Sequence, residues 1–250
     1  VSAAANNPII IRIGTNATGG TNRITNPTAG SYELYITAGT VDTGRTRVAI
    51  IDNVLVEAIV NTSFTFTITG VATSTVVNSE TTTGSTTPTS IDYGTLSAGS
   101  AEVLAQRLNV TTNANNGFVV TVESDSGFQS ANGADIDIFD DGVDTANPAV
   151  WNAPSTVVSQ ENTWGHWGVT SSDSDLNSLG GFYTGEFDAN EFIAVSSTSP
   201  RQVFHHDGPS NGIQNNTGST TVAYKVAISA LQEAADDYNT TLTYIATPTF

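Results

Sequence analysis

Five carboxylates crowd the stretch Asp-Ile-Asp-Ile-Phe-Asp-Asp-Gly-Val-Asp: Asp135, Asp137, Asp140, Asp141 and Asp144. Hard cations such as calcium want several oxygens closing around a tight, glycine-bearing turn, so calcium is the one ligand this run suggests. The spacing does not fit an EF-hand loop. Counted from Asp135 the fifth position is Phe139, and counted from Asp137 the third is Phe139. The plainer reading, a strand with alternating exposed Asp followed by an acidic turn, outweighs calcium. Asp188, Asn190 and Glu191 form a weaker second candidate.

All three histidines lie in two motifs, Trp164-Gly165-His166-Trp167-Gly168 and His205-His206-Asp207. Together they suggest a zinc site, since imidazole and carboxylate are ordinary zinc ligands. Adjacent histidines on a strand point to opposite faces, so at most one of His205 and His206 can join His166. Aromatics interleaved with glycine fit a packed corner better, and an exposed Trp151, Trp164 or Trp167 could stack on a sugar. Nucleophilic catalysis finds no support: cysteine is absent, there is no Gly-x-Ser-x-Gly elbow, and the serines sit in turn-like contexts. The chain is expected not to be an enzyme, with a secreted hydrolase using Asp or Glu ranked last. Lys225 is the only lysine. An intramolecular isopeptide would need it to point inward, and its alternation with Tyr224 and Val226 predicts that it points out.

The positioning elements must be strands. Ser63-Phe64-Thr65-Phe66-Thr67-Ile68-Thr69-Gly70 alternates strictly, which sends Phe64, Phe66 and Ile68 to a core. The same period runs through Leu104/Gln106/Leu108/Val110, Phe118/Val120/Val122, Val222/Tyr224/Val226/Ile228 and Leu242/Tyr244/Ala246. Asn116-Gly117, between two of these runs, suits a hairpin turn. Residues 46–60 are apolar on both faces in places and predict a bent central strand or two consecutive ones. Residues 79–90, rich in Thr and Ser, predict an exposed loop. Residues 231–237 offer at most a turn or two of helix. The expected fold is all-β, an antiparallel β-sandwich of immunoglobulin-like or jelly-roll-like type, with an extended N-terminal strand and long loop insertions. It divides into an N-terminal extension, 1–30, and a sandwich domain, 31–250, irregularly elaborated at about 124–218.

Composition narrows the setting. Twenty-four acidic residues against seven basic ones give a net charge of −17, which argues against nucleic-acid binding. No apolar run reaches membrane-spanning length. Without cysteine, disulfides and iron–sulfur ligation are excluded. The uncharged polar surface and the absence of an initiating Met lead us to expect a secreted chain, extracellular or at the cell surface, from which a signal peptide has been cleaved. Asn-x-Ser/Thr sequons at Asn16, Asn61, Asn109, Asn215 and Asn239 are candidate glycosylation sites, several of them expected from composition alone.

Four segments carry a resemblance. They are Thr112 through Val122 (Thr-Asn-Ala-Asn-Asn-Gly-Phe-Val-Val-Thr-Val), Trp164-Gly165-His166-Trp167-Gly168-Val169, Ile228-Ser229-Ala230-Leu231-Gln232, and Leu242-Thr243-Tyr244-Ile245-Ala246-Thr247-Pro248. From about residue 46 to the end the chain resembles a family of secreted β-proteins from uncultured, small-genome bacteria of the candidate phyla type. That family has no established activity and supplies no catalytic residues to carry over.

Upstream of the resemblance, Pro8-Ile9-Ile10-Ile11-Arg12-Ile13-Gly14 is an apolar strand isolated by the Gly/Asn/Thr linker 15–30. A lone strand leaves backbone groups unpaired and must enter some sheet, its own or a neighbour's. In design it is similar to fibres built by donor-strand exchange, such as chaperone-usher pili and biofilm-matrix fibres. There an extended segment of one subunit completes the sheet of the next. Ile9, Ile11 and Ile13 would fill the groove and Ile10 would face outward; three buried isoleucines contribute on the order of 6 kcal/mol before entropy. The expected function is a structural subunit of an extracellular filament, its partner another copy of itself and its assembly head to tail. The alternative is a secreted glycan-binding or adhesive module for surface glycans. No cofactor is expected beyond the calcium candidate.

Overall fold

The computed structural model describes residues 10–12, 14, 24–139, 147–174, 176, 186–195 and 198–250. They form an all-β structure with no α-helix among them. The chain separates into two compact units, Val1–Val60 and Asn61–Phe250. The division thus falls thirty residues later than the composition shift at the linker suggests.

In the first unit, β1 (Gly30–Ala38) and β2 (Asp42–Ile50) pair antiparallel from Gly30↔Ile50 to Ala38↔Asp42. The hairpin turns at Gly39, whose φ of 68° suits a residue without Cβ. Among the described residues neither face of the hairpin is covered, and Leu34, Tyr35, Ile36 and Val48 are all exposed. The expected bent strand over 46–60 stops at Ile50. Among the described residues β2 pairs only with β1, and residues 51–60 pair with no strand.

The second unit begins with β3 (Phe64–Gly70), β4 (Val76–Val77), β5 (Glu80–Thr81), β6 (Ala101–Thr112) and β7 (Phe118–Ser124). The elaborated stretch carries β8 (Phe128–Gln129), β9 (Asp135–Ile138), β10 (Ala149–Val150), β11 (Gly165–Ser171), β12 (Glu191–Phe192), β13 (Arg201–His206) and β14 (Ser210–Asn211). The long β15 (Ser219–Ile228) and the final β16 (Leu242–Pro248) complete it. One sheet runs β6-β15-β11-β9-β8, with β3 on the other side of β6 and β14 paired to its last residues. The second sheet is β13-β7-β16. Residues 231–237 form a turn and no helix.

The core between the sheets is what the alternation requires. Leu108, Val110, Trp167, Val169, Val222, Tyr224 and Val226 meet Phe118, Val120, Val122, Val203 and Phe204, and Phe64, Phe66 and Ile68 pack against them. The first sheet is also covered on its outer face, where Val71 and Val77 pack on Val103, Ala105 and Ala223. This second cover explains why β15 is buried at almost every position.

One local expectation is corrected and a second is refined. Asn116-Gly117 does not close a hairpin: β6 and β7 lie in different sheets, so the turn is an arch across the sandwich. The positive φ of Gly117 (69°) is real, but the Asn113–Ser63 and Asn116–Thr249 backbone bonds tie the arch to other segments. Residues 79–90 are mostly exposed, as expected, but they are pinned to the body of the unit. Buried Thr82 donates from Oγ1 to the Ala72 carbonyl, and its Oγ1 accepts from Thr75 N at 2.9 Å. Thr83 N donates to the Val103 carbonyl and Thr86 Oγ1 to the Ala105 carbonyl. Threonine hydroxyls stand in for ladder partners and stitch the segment to β6, which a compositional reading cannot see.

Candidate functional site

The terminal strands of the two sheets, β3 and β16, border one cleft of about 510 Å³, and Phe66 of β3 lies 6.4 Å from Tyr244 of β16 between ring centres. Ile68 comes from β3, Leu242 and Tyr244 from β16, and Trp167, Tyr224 and Phe128 form an aromatic floor. Ile91 and Tyr93 separate this cleft from a second cavity of about 610 Å³ under residues 91–98, floored by Val226 and Ile228. Among the described residues neither β3 nor β16 has a ladder partner on its outer edge.

Polar groups in the cleft form a chain. Tyr224 Oη and Tyr244 Oη are 2.6 Å apart, Tyr244 Oη donates to Gln106 Oε1 at 3.2 Å, and Tyr93 Oη donates to the Tyr224 carbonyl at 3.1 Å. Burial holds all three phenols well above their ordinary range, so they serve as neutral hydrogen-bonding groups. One donor is left over: the indole Nε1–H of Trp167, itself 2% exposed, has no acceptor among the described residues. A buried unsatisfied donor of this kind costs about 1–3 kcal/mol.

On the outer face of the first sheet Lys225 does not point to water. It does alternate with Tyr224, but the face it occupies is roofed, and Lys225 is 8% exposed. Its Nζ sits 2.8 Å from Glu80 Oε1 and lies 5.0 Å over the ring of Trp151 and 5.2 Å over Phe192. The roof is an aromatic cluster: Trp151 stacks on Phe139 at 4.9 Å, and His166 meets Trp151 edge-on at 4.7 Å. A cation between a carboxylate and two π faces is fully accounted for as a buried ion pair with cation–π support. The glycines of the tryptophan motif permit this packing. A Cβ on Gly168 would lie 2.9 Å from the Phe139 Cβ and 3.0 Å from the Ile193 carbonyl oxygen.

The histidines are dispersed into structural roles. His166 Nε2 is 3.0 Å from the Asn152 carbonyl oxygen, and buried His205 pairs with Asp207 at 3.1 Å while its backbone N–H donates to Asp173. His206 packs beside Phe118. Among the described residues no three His, Asp or Glu side chains are placed to hold a metal. The tryptophans are similarly occupied: Trp151 in the roof, Trp167 in the core, and Trp164 donating from Nε1 to the Val157 carbonyl at 3.0 Å.

Of the acidic run, Asp140, Asp141 and Asp144 lie outside the described residues; Asp135 and Asp137 sit on β9. Burial first, then the charges of Asp135, Glu161 and Glu233, push the Asp137 carboxyl from 3.8 up to about 7. Between pH 4 and 7 the folded chain keeps a proton that the unfolded chain has released, so stability falls as pH rises through that window and levels off above it. Asp137→Asn should flatten this slope and raise stability at pH 8 by about 1 kcal/mol, the full shift being discounted because the group is half-exposed. Urea midpoints taken from pH 4 to 8 on both chains check it, and a parallel slope in the variant would refute it.

Ile9, Ile13 and Asn16 also lie outside the described residues; Ile10 and Ile11 are 74% and 57% exposed. Of the other sequons, Asn61, Asn215 and Asn239 are exposed and Asn109 is half-buried within β6. The sequence reading missed three features: the Glu80–Lys225 pair, the tyrosine chain, and residues 51–60 as an unpaired segment. Strict alternation in β15 was a usable signal for the tyrosines; nothing local signalled Glu80, which is 145 residues from its partner.

No protein-family model matches the chain, and no curated protein matches it. No helix among the described residues is long and apolar enough to cross a membrane.

Proposed function

We propose that the protein is a structural subunit of an extracellular filament, in which apolar chain from the Val1–Val60 unit of one copy completes the sandwich of the next. One observation carries this reading. Fourteen of the twenty-one large apolar side chains exposed among the described residues belong to the first sixty positions, from Ile10 and Ile11 to Ile59 and Val60. An isolated two-stranded hairpin with both faces wet is marginal in water, and apolar surface concentrated in this way marks an interaction site. The open edges of β3 and β16 offer the complementary need, because unpaired edges accept added strands. Head-to-tail addition does not close on itself without a ring geometry, so the product is a fibre. The donor expected from the sequence is the strand at residues 8–14, and secretion to the cell surface goes with the same reading.

Negative-stain microscopy of the full chain beside a chain lacking residues 1–14 tests it. Fibres from the full chain are expected, with shorter or no fibres from the truncated one. A full chain that stays monomeric at millimolar concentration would overturn the reading.

A further inference from the structure

Two parts of the chain have no strand partner among the described residues. Residues 51–60, Ile-Asp-Asn-Val-Leu-Val-Glu-Ala-Ile-Val, run without a ladder, and Ile51, Val54, Leu55, Val56, Ile59 and Val60 are 79–94% exposed. In an extended chain Asp52, Val54, Val56, Ala58 and Val60 fall on one face, apolar and made of small side chains from Val54 onward, while Ile51, Asn53, Leu55, Glu57 and Ile59 fall on the other. The β3/β16 cleft presents the reverse relief: a floor of bulky Trp167, Tyr224 and Phe128, and the free edge of β16 alongside. The buried Trp167 indole, which lines this cleft, adds a donor with no acceptor.

We propose that residues 51–60 of one copy insert as an extended strand along the outer edge of β16 in a second copy. This rests on the filament reading above and adds to residues 8–14 a second inserting segment, with its seat. The inserted backbone pairs with the edge of β16, and the valine face covers the aromatic floor. Asn61 and Ser63, which lead from the segment into β3, are fixed by Asn113, whose Nδ2 donates to the Asn61 carbonyl and whose Oδ1 accepts from Ser63 N.

The chain has no cysteine, so introduced thiols report cleanly. Glu57→Cys chains mixed with Ile245→Cys chains and treated with a short bis-maleimide should give a cross-linked heterodimer, because both positions lie on the face turned away from the floor. A paired change, Val54→Asp with Val56→Asp, should weaken self-association at least tenfold in sedimentation while leaving circular dichroism and tryptophan fluorescence unchanged. Assembly that persists in this variant without the cross-link would overturn the proposal while leaving the filament reading intact on residues 8–14. Cross-linking within single Glu57→Cys/Ile245→Cys chains, independent of concentration, would overturn it in favour of insertion in cis. Absence of any assembly overturns both readings.

Discussion

Replacing Glu80 with alanine is expected to cost about 3–5 kcal/mol, far more than a surface ion pair is worth. The pair is deep, with side-chain exposures of 10% for Lys225 and 17% for Glu80. Removing the carboxylate leaves the ammonium between Trp151 and Phe192, where two π faces offset only a part of its lost hydration. The double change Glu80→Leu/Lys225→Met should recover most of the loss, because the cost lies in the orphaned charge and not in the missing attraction. All three tryptophans belong to the Asn61–Phe250 unit, so urea midpoints followed by their fluorescence report on this unit. A single-variant loss below about 1 kcal/mol would mean that Lys225 reaches water and the roof over it is open.

Gly117→Ala should be at least as damaging, about 4 kcal/mol or more. The position combines a φ of 69° with a missing space: a Cβ would lie 1.6 Å from the His206 carbonyl oxygen and 2.6 Å from Gly208 N. Both obstacles are backbone, and they cannot swing aside as a side chain would. The arch that carries β6 into the second sheet would have to shift, and the Thr249–Gly117 and Asn116–Thr249 bonds with it. Gly94→Ala is the control, since its φ of 62° is also positive but nothing lies within 4 Å of the added carbon. It should cost about 1–2 kcal/mol, the conformational penalty alone. Equal losses at the two positions would remove the steric argument for the arch.

The strands were legible because period-two alternation is written into each run separately. Phe64/Phe66/Ile68 and Val222/Tyr224/Val226 face the inter-sheet core as their pattern requires. What alternation does not encode is which strand lies beside which, and whether the far face is covered. Lys225 shows the consequence: its face was read correctly, yet that face is roofed by Trp151 and Phe192 from a region without regular pattern. The Asn-Gly signal reports a positive φ and nothing about where the chain goes next. Residues 51–60 looked like a strand because their side chains suit one, but a strand also needs an edge to pair with, and the pattern within a segment does not name one.

The two longest strands of the body illustrate a last consequence of the β6–β7 arch. β6 finds its main neighbour in β15, with Ala101 opposite Ala227 and Asn109 opposite Ser219, and not in the strand that follows it along the chain. Loop-closure entropy must be met before any of these pairs forms, so little of the sandwich can be assembled while the chain is still short. Folding of this kind proceeds in milliseconds to seconds, with β-rich segments unpaired in the meantime. A chain that leaves its strand edges waiting for distant partners is one in which a neighbouring copy can arrive first.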